Sequence, residues 1–150
     1  MMPEAASGNA TKLYTPSVLA LSVELAAYPL DTDFPATGYA KSRTCGSEVR
    51  VGLEVDDAGA VRRIGMAVAA CAVGQASAAL FAADAKGRMA EEIKDQMGAM
   101  ERWIAGEGPA PALPRLELIE PARAYPARHE AILLPWRAAL DALSQAGNSG

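Results

Sequence analysis

The chain has 150 residues, of which 51% are hydrophobic and 21% charged, and its formal net charge is −4. These values are typical of one globular domain with its own core, so folding requires no disulfide. Lysine and arginine form no cluster, which excludes the basic footprint of a nucleic-acid-binding protein.

The N-terminal stretch MMPEAASGNA has neither the basic start nor the apolar core of a signal peptide. The chain has two cysteines, which allow one disulfide at most, and nothing indicates an oxidising compartment. We therefore expect a cytoplasmic protein. The sequence predicts a disordered N-terminus over residues 1–11, a single domain over 12–145 and a flexible tail over 146–150.

The first half of the chain predicts one helix followed by an antiparallel sheet. Thr15 and Pro16 have the form of an N-cap followed by proline at the first helical position, which predicts a helix of about a dozen residues. Apolar and polar residues alternate strictly over residues 47–55, and the alternation resumes at Ile64 after a predicted turn over 56–59. The two runs predict a hairpin, and residues 39–43 are predicted to add an edge strand.

The second half predicts helices. Residues 64–83 carry no charge, but alanine and glycine gain too little from lipid for a membrane span, so we predict a strand that leads into a buried helix after Cys71. A further helix is predicted from about Gly87, with a stripe of methionine and isoleucine in the core. In the last helix, Pro135 would remove a backbone bond beyond the first turn, so the helix is predicted to begin near Ala131.

Few residues carry recognisable chemistry. The chain has no phosphate-binding loop, no dinucleotide glycine fingerprint, no HExxH zinc motif and no GxSxG nucleophile elbow. Its soft and borderline metal ligands are Cys45, Cys71 and His129. Cys45 stands in TCG directly before a strand, where a loop can present a thiolate, whereas Cys71 fits either a buried small hydrophobe or a ligand. His129 by itself fits an ordinary surface histidine.

The segment TCGSEVRVGLEVDDAGAVRRIGMAVAACAVGQASAALFA resembles the central part of iron-sulfur cluster assembly scaffolds of the NifU N-terminal type, which are related to IscU and SufU. In that family a cysteine in a CGD motif precedes a hairpin and a second cysteine opens the next helix. Cys45 and Cys71 match these positions, and Tyr14 and Val18 match the family's first helix. The resemblance spans about residues 12–143. It implies an α+β fold with a small three-stranded antiparallel sheet and α-helices packed on one face.

The chain departs from the family pattern at two positions, the aspartate that helps make the family's cluster labile and one cysteine ligand. The aspartate of CGD corresponds to Ser47, and the third family cysteine, which opens the last helix, corresponds to Ala131. The pattern RxKCxxLxW that surrounds this cysteine in SufU-type members is matched at Arg128, Leu134 and Trp136. Glu130 stands where IscU-type members have a histidine, and their LPPVK motif is absent.

The resemblance leaves three ways to complete a site around Cys45 and Cys71. His129 or Glu130 can join the two thiolates in a set suited to Zn²⁺. Two chains can pool their cysteines around one transient [2Fe-2S] cluster in a homodimer. The third alternative is a degenerate site. Arg128, which stands next to the site, favours thiolates and anionic clusters in each case.

Three functions follow from these sites. The first is a scaffold or carrier, not an enzyme, that receives sulfur from a cysteine desulfurase and iron from an iron donor, and passes the cluster to apo-protein acceptors. The second is a degenerate relative that binds zinc or the desulfurase without assembling clusters. The third is a zinc-dependent hydrolase with Glu130 as general base. Cys45 and Cys71 favour the first function, and the missing cysteine and aspartate favour the second.

Overall fold

The computed structural model of the chain describes residues 13–31, 33–43 and 46–149, with side chains up to residue 145. Its α-helices are α1 (Pro16–Glu24), α2 (Ala72–Ala85), α3 (Ala90–Ile104) and α4 (His129–Ser149), and its strands are β1 (Ala36–Lys41), β2 (Glu48–Val55) and β3 (Val61–Ala69). Short 3-10 segments lie at Leu25–Ala27, Leu116–Ala124 and Pro126–Arg128. The predicted N-terminal segment 1–11 lies outside the described residues, and α4 continues into the predicted tail.

The sheet follows from the alternating pattern and from the turn chemistry. Its strand order is β1-β2-β3 and both pairings are antiparallel. The turn between β2 and β3 closes on Asp56, whose Oδ1 accepts hydrogen bonds from the N–H groups of Ala58 and Ala60 at 2.9 and 3.0 Å. The predicted hairpin is confirmed. The predicted edge strand is confirmed as β1, which begins at Ala36, ahead of the predicted residues.

Helices α2 and α4 pack on one face of the sheet and form the core there. Because side chains alternate along a strand, Val49, Val51 and Leu53 all point to this face and are buried. Phe81 of α2 meets Trp136 of α4 edge to face, with ring centroids 5.1 Å apart. The predicted α+β fold is confirmed. None of the described helices is long and apolar enough to cross a membrane.

Helices α1 and α3 agree with the sequence pattern. The Thr15 hydroxyl accepts a hydrogen bond from the N–H of Val18 at 3.1 Å, and Pro16 is the first helical residue. In α3, Ile93 and Met100 are fully buried. Met97 is partly buried and packs against the core, whereas Met89 at the helix N-cap is exposed. The interpretation of the methionine stripe as core packing is therefore confirmed for Met97 and Met100 and is wrong for Met89.

The backbone of α4 lies directly on β1. A Cβ atom on Gly38 would overlap the carbonyl oxygen of Ala138 and the backbone nitrogen of Ala142, so only glycine permits this approach. Asp141 Oδ2 also accepts a hydrogen bond from the N–H of Tyr39 at 3.0 Å. The helix therefore covers the outer edge of the sheet.

Helix α4 begins at His129, so its predicted start near Ala131 is wrong. Pro135 lies inside the helix, where it has no N–H to offer the carbonyl of Ala131. The adjoining carbonyl, that of Ile132, accepts a hydrogen bond from the Ser77 hydroxyl of α2 at 2.7 Å. Packing against α2 therefore stabilises the turn that the proline interrupts.

Candidate metal and cluster site

Cys71 stands at the junction of the sheet and the central helix α2. It is the N-cap residue of α2, with extended backbone angles of φ −64° and ψ 169°, and its side chain makes no capping hydrogen bond. It is a free cysteine of intermediate exposure that packs against the edge of the core. Because the N-terminus of a helix favours negative charge, this position suits an anionic cargo.

Cys45 lies outside the described residues, and the structure defines only its flanks. The N–H of Ser42 donates to the carbonyl of Ser47 at 2.8 Å, which draws the flanks together. Both serines are buried. Gly46 has a φ of 74°, in the left-handed region that glycine adopts without strain. The two flanks are therefore anchored in the protein.

Glu130, in the first turn of α4, holds one of these flanks. Its Oε1 accepts hydrogen bonds from the Ser42 hydroxyl at 3.0 Å and from the N–H of Arg43 at 3.1 Å. Its Oε2 accepts a hydrogen bond from Arg137 at 3.3 Å. The Ser42 hydrogen bond is the largest of the effects that hold the pKa of the Glu130 carboxyl below its ordinary value. The carboxylate thus connects the end of β1 to the start of α4.

His129 has a ring orientation that is set by a backbone carbonyl. Its Nε2 lies 2.8 Å from the carbonyl oxygen of Arg123. Because a carbonyl oxygen only accepts, Nε2 carries a proton, and in the neutral ring Nδ1 is the nitrogen that can bind a metal. A hydrogen bond of this kind supports metal-binding histidines, and it equally fixes the ring of a structural histidine.

The first turns of α2 and α4 are in direct contact. A Cβ on Gly74 would lie 3.5 Å from the Cβ of Ala131, an ordinary van der Waals distance. Gly74 lies in the first turn of α2, which Cys71 opens. Ala131 is 1% exposed, so the position that the resemblance equates with the third cysteine is a buried alanine. Together with the carboxylate contacts to Ser42 and Arg43, this packing places the start of α4 beside the N-terminus of α2 and beside the residues that precede Cys45 in the sequence.

The structure describes three of the four predicted ligands, with Cys71 at the start of α2 and with His129 and Glu130 at the start of α4. Among the residues that the structure describes, no group of three or more histidine, cysteine, aspartate or glutamate side chains could hold a metal ion. That search does not include Cys45. The ligand set therefore stays a prediction.

Sequence reasoning missed Ser42 and Gly74 as residues that shape this region. Nothing local marks Ser42, because its bond to Glu130 joins residues 88 positions apart. Correlated changes at positions 42 and 130 among relatives would reveal the contact. Gly74 belongs to the stripe of small residues that follows Cys71. This stripe does indicate that the helix packs closely against its neighbours.

Comparison with known proteins places the fold in a class. A scan against protein-family models found no match, and a search of curated proteins found none. An iron-sulfur cluster assembly scaffold protein for the SUF system from Fervidobacterium islandicum AW-1 is 21% identical, with a TM-score of 0.77 over 87% of this chain and 96% of that chain. The chain therefore has the α+β fold of the IscU/SufU class.

A second solved structure is similar in sequence as well as in fold. The nitrogen-fixing NifU-like protein (N-terminal) from Brucella abortus is 32% identical, with a TM-score of 0.81, and the match covers 93% of this chain and 97% of that chain. The chain belongs to the NifU-like N-terminal family. The family resemblance that the sequence indicated is confirmed.

Proposed function

We propose that the chain is a scaffold or carrier for iron-sulfur clusters, and that Cys45 and Cys71 hold iron and sulfide as cargo. Family membership supports this proposal. The observation that carries it is the position of Cys71, a free and partly exposed cysteine at the N-terminus of a helix that the start of α4 contacts.

The donor chemistry fits this cargo. Thiolates are the ligands that iron-sulfur clusters prefer, and zinc also accepts them. A cluster held by thiolates is anionic, so the positive end of the α2 dipole stabilises it at Cys71. Partial exposure of Cys71 also leaves a route by which cargo can enter and leave.

The proposed partners follow from the chemistry of assembly. A cysteine desulfurase supplies sulfur, an iron donor supplies iron, and apo-protein acceptors receive the finished cluster. The chain binds and transfers its cargo and is not proposed to be an enzyme. A zinc hydrolase is not proposed, because Glu130, the candidate base, is engaged by Ser42, Arg43 and Arg137.

Two thiolates per chain are fewer than a complete cluster uses, since clusters in stable ferredoxins have four cysteine ligands. The buried alanine at position 131 supplies no third thiolate. We therefore propose that two chains pool Cys45 and Cys71 around one transient [2Fe-2S] cluster in a homodimer.

Ala131 also favours a second candidate function. A chain without the third cysteine can bind Zn²⁺ through Cys45, Cys71 and Nδ1 of His129, or can bind the desulfurase, without assembling clusters. The Nε2 contact to the Arg123 carbonyl leaves Nδ1 as the coordinating atom.

Anaerobic reconstitution separates the two functions. The purified protein is incubated with ferrous iron, cysteine, a cysteine desulfurase and dithiothreitol, which reduces the persulfide sulfur to sulfide. It is then desalted, and its visible absorption, iron, sulfide, zinc and mass are measured. A scaffold gives a sulfide-to-iron charge-transfer band and roughly one cluster per dimer, both lost in Cys45→Ser and Cys71→Ser. Zinc bound without the band supports the second function. The absence of both refutes cluster assembly and zinc binding, and leaves only desulfurase binding, which co-elution of the two proteins tests.

A further inference from the structure

Glu130 lies where the loop between β1 and β2 meets the first turn of α4. One carboxylate oxygen accepts hydrogen bonds from two consecutive residues, the hydroxyl of Ser42 at 3.0 Å and the N–H of Arg43 at 3.1 Å. Ser42 is 2% exposed, and its own N–H closes the base of the loop on the carbonyl of Ser47 at 2.8 Å. The carboxylate therefore binds the loop at its base, just ahead of Cys45 in the sequence.

The second carboxylate oxygen is directed at its own helix. It lies 3.3 Å from Nη1 of Arg137, and this ion pair holds the Glu130 side chain on the surface of α4. Each oxygen of a carboxylate has two acceptor sites. Because Oε1 already accepts two hydrogen bonds, a metal ion would have to displace Ser42 or Arg43 in order to bind it.

We infer that Glu130 is a positioning residue of the proposed cluster site, which fixes Ser42 and Arg43, the residues that lead to Cys45 in the sequence, against α4 and does not bind the metal. The inference rests on the proposed function in treating Cys45 as a working thiol. A carboxylate suits this task because hydrogen bonds to an ionised acceptor are shorter and stronger than neutral ones. The arrangement joins a strand end and a helix start that are distant in sequence.

The test measures thiol reactivity in the metal-free, full-length protein. The protein is treated with iodoacetamide, and peptide mass spectrometry gives separate alkylation rates for Cys45 and Cys71. Glu130→Leu removes both acceptor oxygens, so Cys45 should react roughly tenfold faster, because hydrogen bonds to a charged group are lost. The rate at Cys71 should not change, which makes it an internal reference.

Glu130→Gln separates positioning from metal binding. The amide oxygen still accepts hydrogen bonds from Ser42 and Arg43, but a neutral amide is not a normal zinc ligand. This variant should alkylate at Cys45 at a rate much closer to the wild type than to Glu130→Leu, and should keep the zinc or cluster that the wild type binds. Glu120→Leu is the matched control, since Glu120 pairs instead with Arg123 at 3.6 Å.

A wild-type rate at Cys45 in Glu130→Leu would overturn the inference. A Glu130→Gln protein that alkylates normally but loses its metal would also overturn it, since the carboxylate would then be a ligand. If circular dichroism shows that Glu130→Leu is unfolded, Ser42→Ala replaces it, and this variant must also react faster at Cys45. Failure of the wild type to bind cluster or zinc refutes the proposed function alone, because the alkylation rates are measured without metal.

Discussion

At the scale of single residues, Cys71 occupies a position where cysteine contributes little to stability. Helix N-caps favour serine, threonine, aspartate and asparagine, whose side-chain oxygens accept hydrogen bonds from the first helical N–H groups. Cys71 makes no such bond and is only partly buried. Helix capping therefore does not explain the cysteine at this position, which agrees with the proposed role as a thiolate ligand.

Cys71→Ser should abolish cargo binding and raise stability. The hydroxyl can cap α2, so the free energy of unfolding should rise by about 0.5 to 1 kcal/mol. Iron and sulfide should no longer remain bound after reconstitution. Urea unfolding and metal analysis on the same preparation measure both effects. A less stable variant that still holds the cluster would show that Cys71 is a packing residue.

Ala131→Cys should increase cluster retention after desalting. The Cβ of Ala131 lies 3.5 Å from the site of a Cβ on Gly74, in the turn that Cys71 opens, so a thiol there adds a third soft ligand. Ala139→Cys is the control, because Ala139 is also a buried alanine of α4 but lies two turns further along. Equal retention in the two variants would argue against a ligand position at residue 131.

The sequence alone could identify the cysteines but not the contact made by Glu130. At Cys71 the apolar residues change from every second position to helical spacing, and this signal can be seen in the local sequence. Glu130 is marked only as a polar residue at a helix start. Its partners lie 87 and 88 positions away, so they become apparent only when β1 and α4 pack together.

At the scale of secondary structure, local sequence patterns predict the hairpin, but they do not predict the 3-10 segment Leu116–Ala124 or the start of α4. The strands between residues 48 and 69 follow from strict alternation. The 3-10 segment Leu116–Ala124 has no such pattern and contains Pro121, so sequence analysis did not predict it. The start of α4 was also missed, because a contact from Ser77 supports the turn that Pro135 interrupts.

Gly38→Ala should be strongly destabilising. The added Cβ would overlap backbone atoms of Ala138 and Ala142, which cannot rotate away, so the free energy of unfolding should fall by about 3 kcal/mol.

Gly98→Ala is the control for the destabilisation caused by Gly38→Ala, and we expect it to stabilise the protein. A Cβ on Gly98 meets only the flexible side chain of Arg102, at 3.6 Å. Replacing this helical glycine with alanine should therefore raise the free energy of unfolding by about 0.5 to 1 kcal/mol. Urea unfolding compares the two variants, and a Gly38→Ala protein as stable as the wild type would contradict the close packing of α4 on β1.

At the scale of the whole molecule, the fold and the proposed site depend on different residues. The core is built from the sheet face, α2 and α4, and its large members, such as Phe81, Leu53 and Trp136, are fully buried. Cys71 lies at the edge of this core. Because Cys71 is not one of the buried core residues, we predict that the protein keeps its fold while it loads and unloads a cluster.

Cluster transfer tests the central claim most directly. The anaerobically loaded protein is mixed with an apo-ferredoxin and an excess of a ferrous chelator, and circular dichroism follows the appearance of the ferredoxin cluster. We predict that the acceptor gains its cluster faster than from equal amounts of free iron and sulfide, and that the chelator does not prevent transfer. If the chelator abolishes transfer, or free iron and sulfide serve as well, the protein is not a carrier of clusters.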